Sequence, residues 1–189
     1  MPAFRDLKAV SARWRSLDCE GLDHVTLASE PDRIVARGVA VGARGGVPYG
    51  VYYRIDCDLG WRTRELALAT SDGRGLHLVA NGEGRWATGT GEPLPALDGC
   101  LDLDLSGTPF TNTLPIRRLS WREGEQRELK MAFVPFDSFV PFADAQIYRC
   151  IEPGRRFQYQ AADLSFEAEL SVDEDGLVTD YAQLFARVL

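Results

Sequence analysis

Apolar and polar positions alternate with a period of two along nearly the whole chain. ARWRSLD (12–18), DHVTLAS (23–29), DRIVARGVAV (32–41), VYYRIDCDL (51–59), WRTRELALAT (61–70), GLHLVA (75–80) and GRWATG (84–89) each alternate or cluster β-branched and aromatic residues. LSWREG (119–124), RELKMAFVPF (127–136), AQIYRCIE (145–152), RRFQYQ (155–160), LSFEAELSV (164–172) and GLVTDY (176–181) continue the pattern. This period places one side of each segment on a core and the other in water, the mark of a strand. SEPD, ARGGVPYG, SDGRG and NGEG fall between the segments as turn signals. Connections of hairpin length make neighbouring strands antiparallel. So many strands exceed what a flat open sheet holds, so the sheet must curl. The expected fold is mainly β: a many-stranded, antiparallel, strongly curled, open barrel-like sheet wrapped around one short α-helix.

The helix belongs where the alternation breaks, in SGTPFTNTLPIRRL (106–119). Thr108 is a good N-cap with Pro109 at the first helical position. Pro115 would fall inside such a helix, so a start near Thr113 is the alternative. Leu114, Ile116 and Leu119 can share one apolar stripe inside the curve of the sheet. DYAQLFARVL (180–189) has helical spacing but could also be a final strand.

At 189 residues, with 45% apolar and 26% charged residues, the chain fits a single domain over 1–189. A net charge of −7 argues against a nucleic-acid backbone as the partner. No run approaches the roughly 20 apolar residues that span a bilayer, and no signal-peptide h-region is present, so a soluble, cytoplasmic protein is expected. Cys19, Cys57, Cys100 and Cys150 are widely spaced, without a CxxC pair, and read as reduced, partly buried thiols. Nineteen arginines stand against Lys8 and Lys130, so carboxylates here are paired by planar, bidentate guanidinium groups.

Several chemistries drop out. His24 and His77 are the only histidines, each in a strand-like segment, and neither HExxH, GxSxG, a Walker loop nor a strand-to-helix GxGxxG occurs. VDEDG (172–176) lacks the spacing of a calcium loop and reads as a solvated hairpin. Nothing calls for a cofactor or a metal. What stands out is GCLDLDLSGTPFTNTLPIRRL (99–119). On a strand Cys100, Asp102 and Asp104 share one face and the leucines the other. Same-face like charges repel, which a plain surface strand avoids. Thr108, Thr111, Asn112, Thr113, Arg117 and Arg118 follow, dense in directional hydrogen-bonding groups. They either cap a loop internally or line a polar pocket.

This stretch resembles the signature of the bacterial glycolipid-binding family, formerly a domain of unknown function. YRIDCDLGWRTR (53–64), QIYRC (146–150) and VDEDGLVTDYAQLF (172–185) support the resemblance over most of the chain. It implies a many-stranded sheet around one helix, a tight homodimer, a shape remotely like lipoprotein-localisation factors, and an acidic pocket for sugar or lipid head groups. The ligand-binding expectation is then Asp102, Asp104, Thr108, Thr111, Asn112, Arg117, Arg118, Trp61, Arg64, Gln146 and Tyr148. The two aspartates would take hydroxyls while Arg117 or Arg118 balances their repulsion or meets a phosphate. Equally, the arginines would only pair with Asp102, Asp104, Asp56 or Asp58. Trp61, Trp86, Tyr52, Tyr148 and Tyr159 could supply aromatic faces for a sugar, although core or dimer packing suits the two tryptophans better. The expected partner is a glycolipid or another sugar-containing amphiphile, bound without catalysis. The alternatives are a carboxylate-dependent enzyme acting on a glycoside, with Glu65 or Glu169 as second carboxylate, and a dimeric interaction protein with no small ligand.

Overall fold

Up to residue 88 the chain folds as one continuous meander. The computed structural model describes residues 4–17 and 20–188; Cys19 lies outside them. β1 (Val10–Ser16), β2 (Leu22–Ser29), β3 (Ile34–Arg44), β4 (Val47–Cys57), β5 (Thr63–Thr70), β6 (Gly75–Ala80) and β7 (Trp86–Thr88) each pair antiparallel with the next. Two-residue chemistry sets the β3–β4 hairpin: Gly45 and Gly46 both take positive φ (56° and 79°), which ordinary residues adopt at a cost. Strand pairing therefore runs through Val47–Gly50, which the turn-like ARGGVPYG had concealed.

The second half repeats the arrangement from the opposite edge. β8 (Asp102–Leu105) is followed by β9 (Gln126–Val134), β10 (Phe142–Glu152), β11 (Arg156–Ala161), β12 (Glu167–Val172), β13 (Val178–Tyr181) and β14 (Phe185–Val188). Among the described residues the result is one curled, unclosed sheet of 14 strands in the order β7-β6-β5-β4-β3-β2-β1-β14-β13-β12-β11-β10-β9-β8. Its middle seam is β1 against β14, with Arg13 opposite Val188. One pairing departs from the antiparallel expectation: β8 runs parallel to β9. Parallel neighbours need a long crossover, and residues 106–125 supply it.

That crossover holds the helical segment. Thr108 caps a 3₁₀ turn, Pro109–Asn112, by accepting from the Phe110 amide at 3.1 Å, and α1 (Thr113–Arg118) continues it. Both proposed starts are thus used, one for each kind of turn. Pro115 is tolerated because it sits in the first turn of α1, where its missing N–H would lack an α-helical partner anyway. A single apolar stripe is not what forms. Phe110 and Leu114 join a cluster with Trp14, Tyr53, Ile55, Leu66 and Leu103, whereas Ile116 joins Tyr148, Phe157, Leu170 and Val178. Leu119 is only half-buried. The segment is covered on both sides because the sheet curls around it, and it divides the core in two.

Three further expectations change. LSWREG forms no strand: the Trp121 ring packs edge-on to Phe157 with centroids 5.5 Å apart, and Gly124 turns the chain at φ 76°. The 180–189 segment is strand rather than helix, since Gln183 at φ 71° reverses the chain between β13 and β14. VDEDG is not solvated throughout. Asp175 and Gly176 are buried, Arg5 bonds the Asp175 carboxylate, and Thr113 donates to the Gly176 carbonyl at 2.8 Å. This turn is the clasp that fastens α1 to β12 and β13. Cys57, Cys100 and Cys150 are buried free thiols. Among the described residues no helix is long and apolar enough to cross a membrane.

Because Leu114 is fully buried among first-cluster side chains, Leu114→Ala should destabilise the fold by about 2–5 kcal/mol. Urea denaturation with an unchanged m-value would report that loss as a lower midpoint.

Candidate functional site

The site grows from the Thr108 cap. Its hydroxyl reaches beneath the 3₁₀ turn to the Asp23 carboxylate, and Tyr53 donates to the same group at 3.0 Å. Tyr53 fits because β3 carries Gly38 opposite it. A Cβ at Gly38 would lie 2.1 Å from the Tyr53 ring, an impossible contact. Asp23 is 1% exposed and, among the described residues, has only hydroxyl donors from side chains, so burial pushes its carboxyl up to about 7 against the pull of Thr108, Tyr53 and the His24 backbone. This buried triad fixes the turn relative to β2 and β4.

On the other side of the turn lies a second carboxylate. Asp104, on β8, accepts from Thr111 Oγ1 at 2.7 Å and from Gln146 Nε2 at 2.8 Å. The same Gln146 nitrogen donates to Asp144 Oδ2 at 3.0 Å, so one amide links carboxylates on β8 and β10, across the intervening β9. Tyr148, two residues along the same face of β10, donates to Asn112 Oδ1 at 2.7 Å, and Asn112 Nδ2 in turn donates to the Pro109 carbonyl at 3.1 Å. Asp104 keeps part of its surface open. Burial of the rest raises its carboxyl above the usual range, and the Asp144 charge adds to this against the two donors. Among the described residues, neither Asp104 nor Asp144 has an arginine or lysine within ion-pair distance.

These groups open on a cleft of about 320 Å³. Asp104, Asp144, Ser106, Thr108 and Asn112 form its polar floor, and Phe133, Phe142, Tyr159, Phe166, Tyr181 and Phe185 its walls. Tyr159 touches Phe166 and Tyr181 at centroid distances of 6.0 Å, while Phe133 and Phe142 stand 5.2 Å apart. Arg44 at the rim is engaged, with its guanidinium over the Phe133 ring and 3.3 Å from Asp137. A wider recess of about 470 Å³ beside β6 and β7 is lined mostly by Val79, Ala80, Trp86, Pro93 and Pro95. It has no convergent polar floor: its charged members, Arg85 and Asp98, bond each other at 2.6 Å. A ligand site needs a few convergent polar groups on apolar walls, and the first cleft is the one that has them.

Of the sequence-predicted site residues, Asp104, Thr108 and Asn112 line this cleft, with Thr111, Gln146 and Tyr148 bonded directly behind. The others stand elsewhere. Asp102 is 1% exposed and held by both Nε and Nη2 of Arg118, with Nε at 2.8 Å. Burial raises its carboxyl and Arg118 pulls it back. The Arg117 guanidinium lies over the Trp61 ring, its Cζ 4.5 Å from the centroid, and donates to the Asp175 carbonyl at 2.8 Å. Trp61 is buried beneath it at φ 65°, a conformation bulky residues seldom take. Arg64 is exposed, 3.9 Å from Asp58. Glu65 bonds His77 at 2.8 Å and Glu169 pairs with Arg156. Sequence reasoning missed Asp23, Asp144 and most of the aromatic wall. PFADAQIYRC did carry a signal for Asp144: it shares a strand face with Gln146 and Tyr148.

A family model described as "Putative glycolipid-binding" matches residues 11–187. A crystal structure of a DUF1089 family protein from Pseudomonas aeruginosa is similar over 98% of this chain and 95% of its own, with 35% identity and a TM-score of 0.76. No curated protein matches the chain.

The buried Asp23 sets a pH dependence. Its carboxyl ionises near 3.8 when unfolded and near 7 when folded, so the folded state holds a proton that the unfolded chain releases. The associated stability is fully present below pH 3.8 and is lost as pH rises through 7, by about 4 kcal/mol. Urea midpoints between pH 4.5 and 8 should fall, and Asp23→Asn should flatten that slope. Asp102 and Asp104, both raised, leave a residual slope of the same sign.

Proposed function

The chain belongs to that family, and from this premise we propose that it binds an amphiphile, a glycolipid or its sugar head group, without turning it over. The head would lie on Asp104, Asp144, Thr108 and Asn112, and the apolar part along Phe142, Phe166, Tyr181 and Phe185. The observation that carries this reading is the pair of carboxylates, unpaired with arginine among the described residues, on the floor of an aromatic-walled cleft. Carboxylate oxygens accept from sugar hydroxyls, and ring faces cover the apolar face of a pyranose.

The same pair bears on the enzyme alternative. A glycosidase holds its carboxyls on either side of the scissile bond. Here the Gln146 amide bridges Asp104 and Asp144, which favours a fixed acceptor surface over an acid–base pair. The two aspartates of LDLDL then have separate tasks: Asp102 anchors α1 through Arg118, and Asp104 meets the ligand.

A homodimer fits the opposite side of the sheet. Leu22, Val39, Val41 and Tyr52 are all about half exposed and adjoin one another across β2, β3 and β4, where Leu22 faces Val41 and Val39 faces Tyr52. Such an apolar row is what a second copy would cover.

Native mass spectrometry against dodecyl glycosides tests the binding. Asp104→Asn should keep its melting profile and weaken retention at least about tenfold, as loss of a charge-assisted hydrogen bond does. Asp102→Asn should instead lose about 3–5 kcal/mol of stability by stranding Arg118. Equal retention by wild type and Asp104→Asn would remove the cleft from consideration. For the dimer, Val41→Glu should shift sedimentation velocity from dimer to monomer with the fold intact.

A further inference from the structure

The charge balance of the cleft is unusual for this chain. Elsewhere it meets buried carboxylates with guanidinium groups: Arg118 on Asp102, Arg54 on Asp56 at 2.7 Å, and Arg5 on Asp175. Around the Thr108–Asn112 turn it does not. Asp104 and Asp144 share one neutral amide, and Asp23, behind Thr108, has only hydroxyls as side-chain donors among the described residues. The two cleft carboxylates, with the Asp23 carboxyl that holds a proton below about pH 7 behind them, thus surround one short turn with no cation paired to any of them among the described residues. Arg44, the one basic residue of the lining, is turned to Asp137 and Phe133.

The walls point the same way. A cation is attracted to ring faces by their quadrupole, most strongly where water is excluded. Tyr159, Tyr181, Phe166 and Phe185 form a connected wall, with Phe133 and Phe142 completing the lining. A neutral polyol would satisfy lone pairs but leave two like charges facing each other in a partly dry recess. A bound ammonium would neutralise one of them and use the ring faces. The burial that raises the Asp104 carboxyl would be offset by that charge.

We propose that the head group taken by this cleft carries a positively charged amine, as an amino sugar does, held between Asp104 and Asp144 against the aromatic wall. This rests on the binding reading above and narrows it to one chemical class.

The test compares four probes of equal chain length by isothermal titration: dodecyl glucosaminide, its N-acetyl derivative, dodecyl glucoside and dodecylamine. The amine should bind at least about tenfold tighter than either neutral probe, the size of one charge-assisted contact. Asp144→Asn, which keeps an acceptor for Gln146, should reduce that preference to less than about threefold. Equal binding of the three sugar probes overturns the amine inference and leaves glycolipid binding standing. A preference for the amine that survives both Asp144→Asn and Asp104→Asn is general attraction to an acidic protein, and overturns it also. Binding of dodecylamine with neither glycoside nor glucosaminide would keep the amine and remove the sugar; no binding of any probe overturns both.

Discussion

A sheet of 14 strands that never closes must bury its concave side on something, and here that is the ten residues from Pro109 to Arg118. Every other part of the architecture depends on this plug. Its Phe110 and Leu114 serve one half of the sheet and its Ile116 the other, so the two clusters are held at a fixed separation. The plug is fastened at both ends by polar contacts that have little alternative once buried. Thr108 is tied to Asp23, and Thr113 and Arg117 to the Asp173–Gly176 turn. Buried polar groups that lack partners cost about 1–3 kcal/mol each, so these ties also exclude other positions of the helix. The cleft is the space the plug leaves unfilled beside β10, β13 and β14.

Position on that plug separates architecture from binding. Asp102 and Asp104 are two residues apart on one strand, yet their environments differ in kind. One ends at a guanidinium on the far end of α1; the other ends at a threonine, an amide and open space. Arg117, beside Arg118, turns the opposite way and covers Trp61. Adjacent helical residues point about 100° apart, so two neighbouring arginines could not both have met the same carboxylates. That geometry explains why Asp104 has no arginine partner among the described residues.

Much of the fold could be read from alternation and turn residues, because a period of two leaves few other solutions. The helix start could be read from Thr108 and Pro109. The parallel β8–β9 pairing could not, since LDLDL reads the same in either direction. LSWREG alternates well enough for a strand, but Trp121 gains more by packing on Phe157. VDEDG looked like a surface turn because composition carries no trace of Arg5, which comes to it from the far end of the chain. For the site, the sequence held its floor better than its walls. Asp104, Thr108, Asn112 and Gln146 were legible from one dense motif and a strand face. Tyr181 and Phe185 were not, since their place depends on which strand β14 joins, a fact of tertiary pairing.

That pairing has a consequence for the order in which the molecule comes into being. β1 and β14 lie side by side at the centre of the sheet, so the central seam joins the first and last of its strands in chain order. Without that seam the sheet would be two seven-stranded halves, with the β1 edge unpaired. One wall of the cleft, Tyr181, Leu184 and Phe185, belongs to the hairpin that knits the halves together. The recess is therefore complete only when that hairpin docks, and a chain halted before residue 178 would carry the acidic floor without the wall above it.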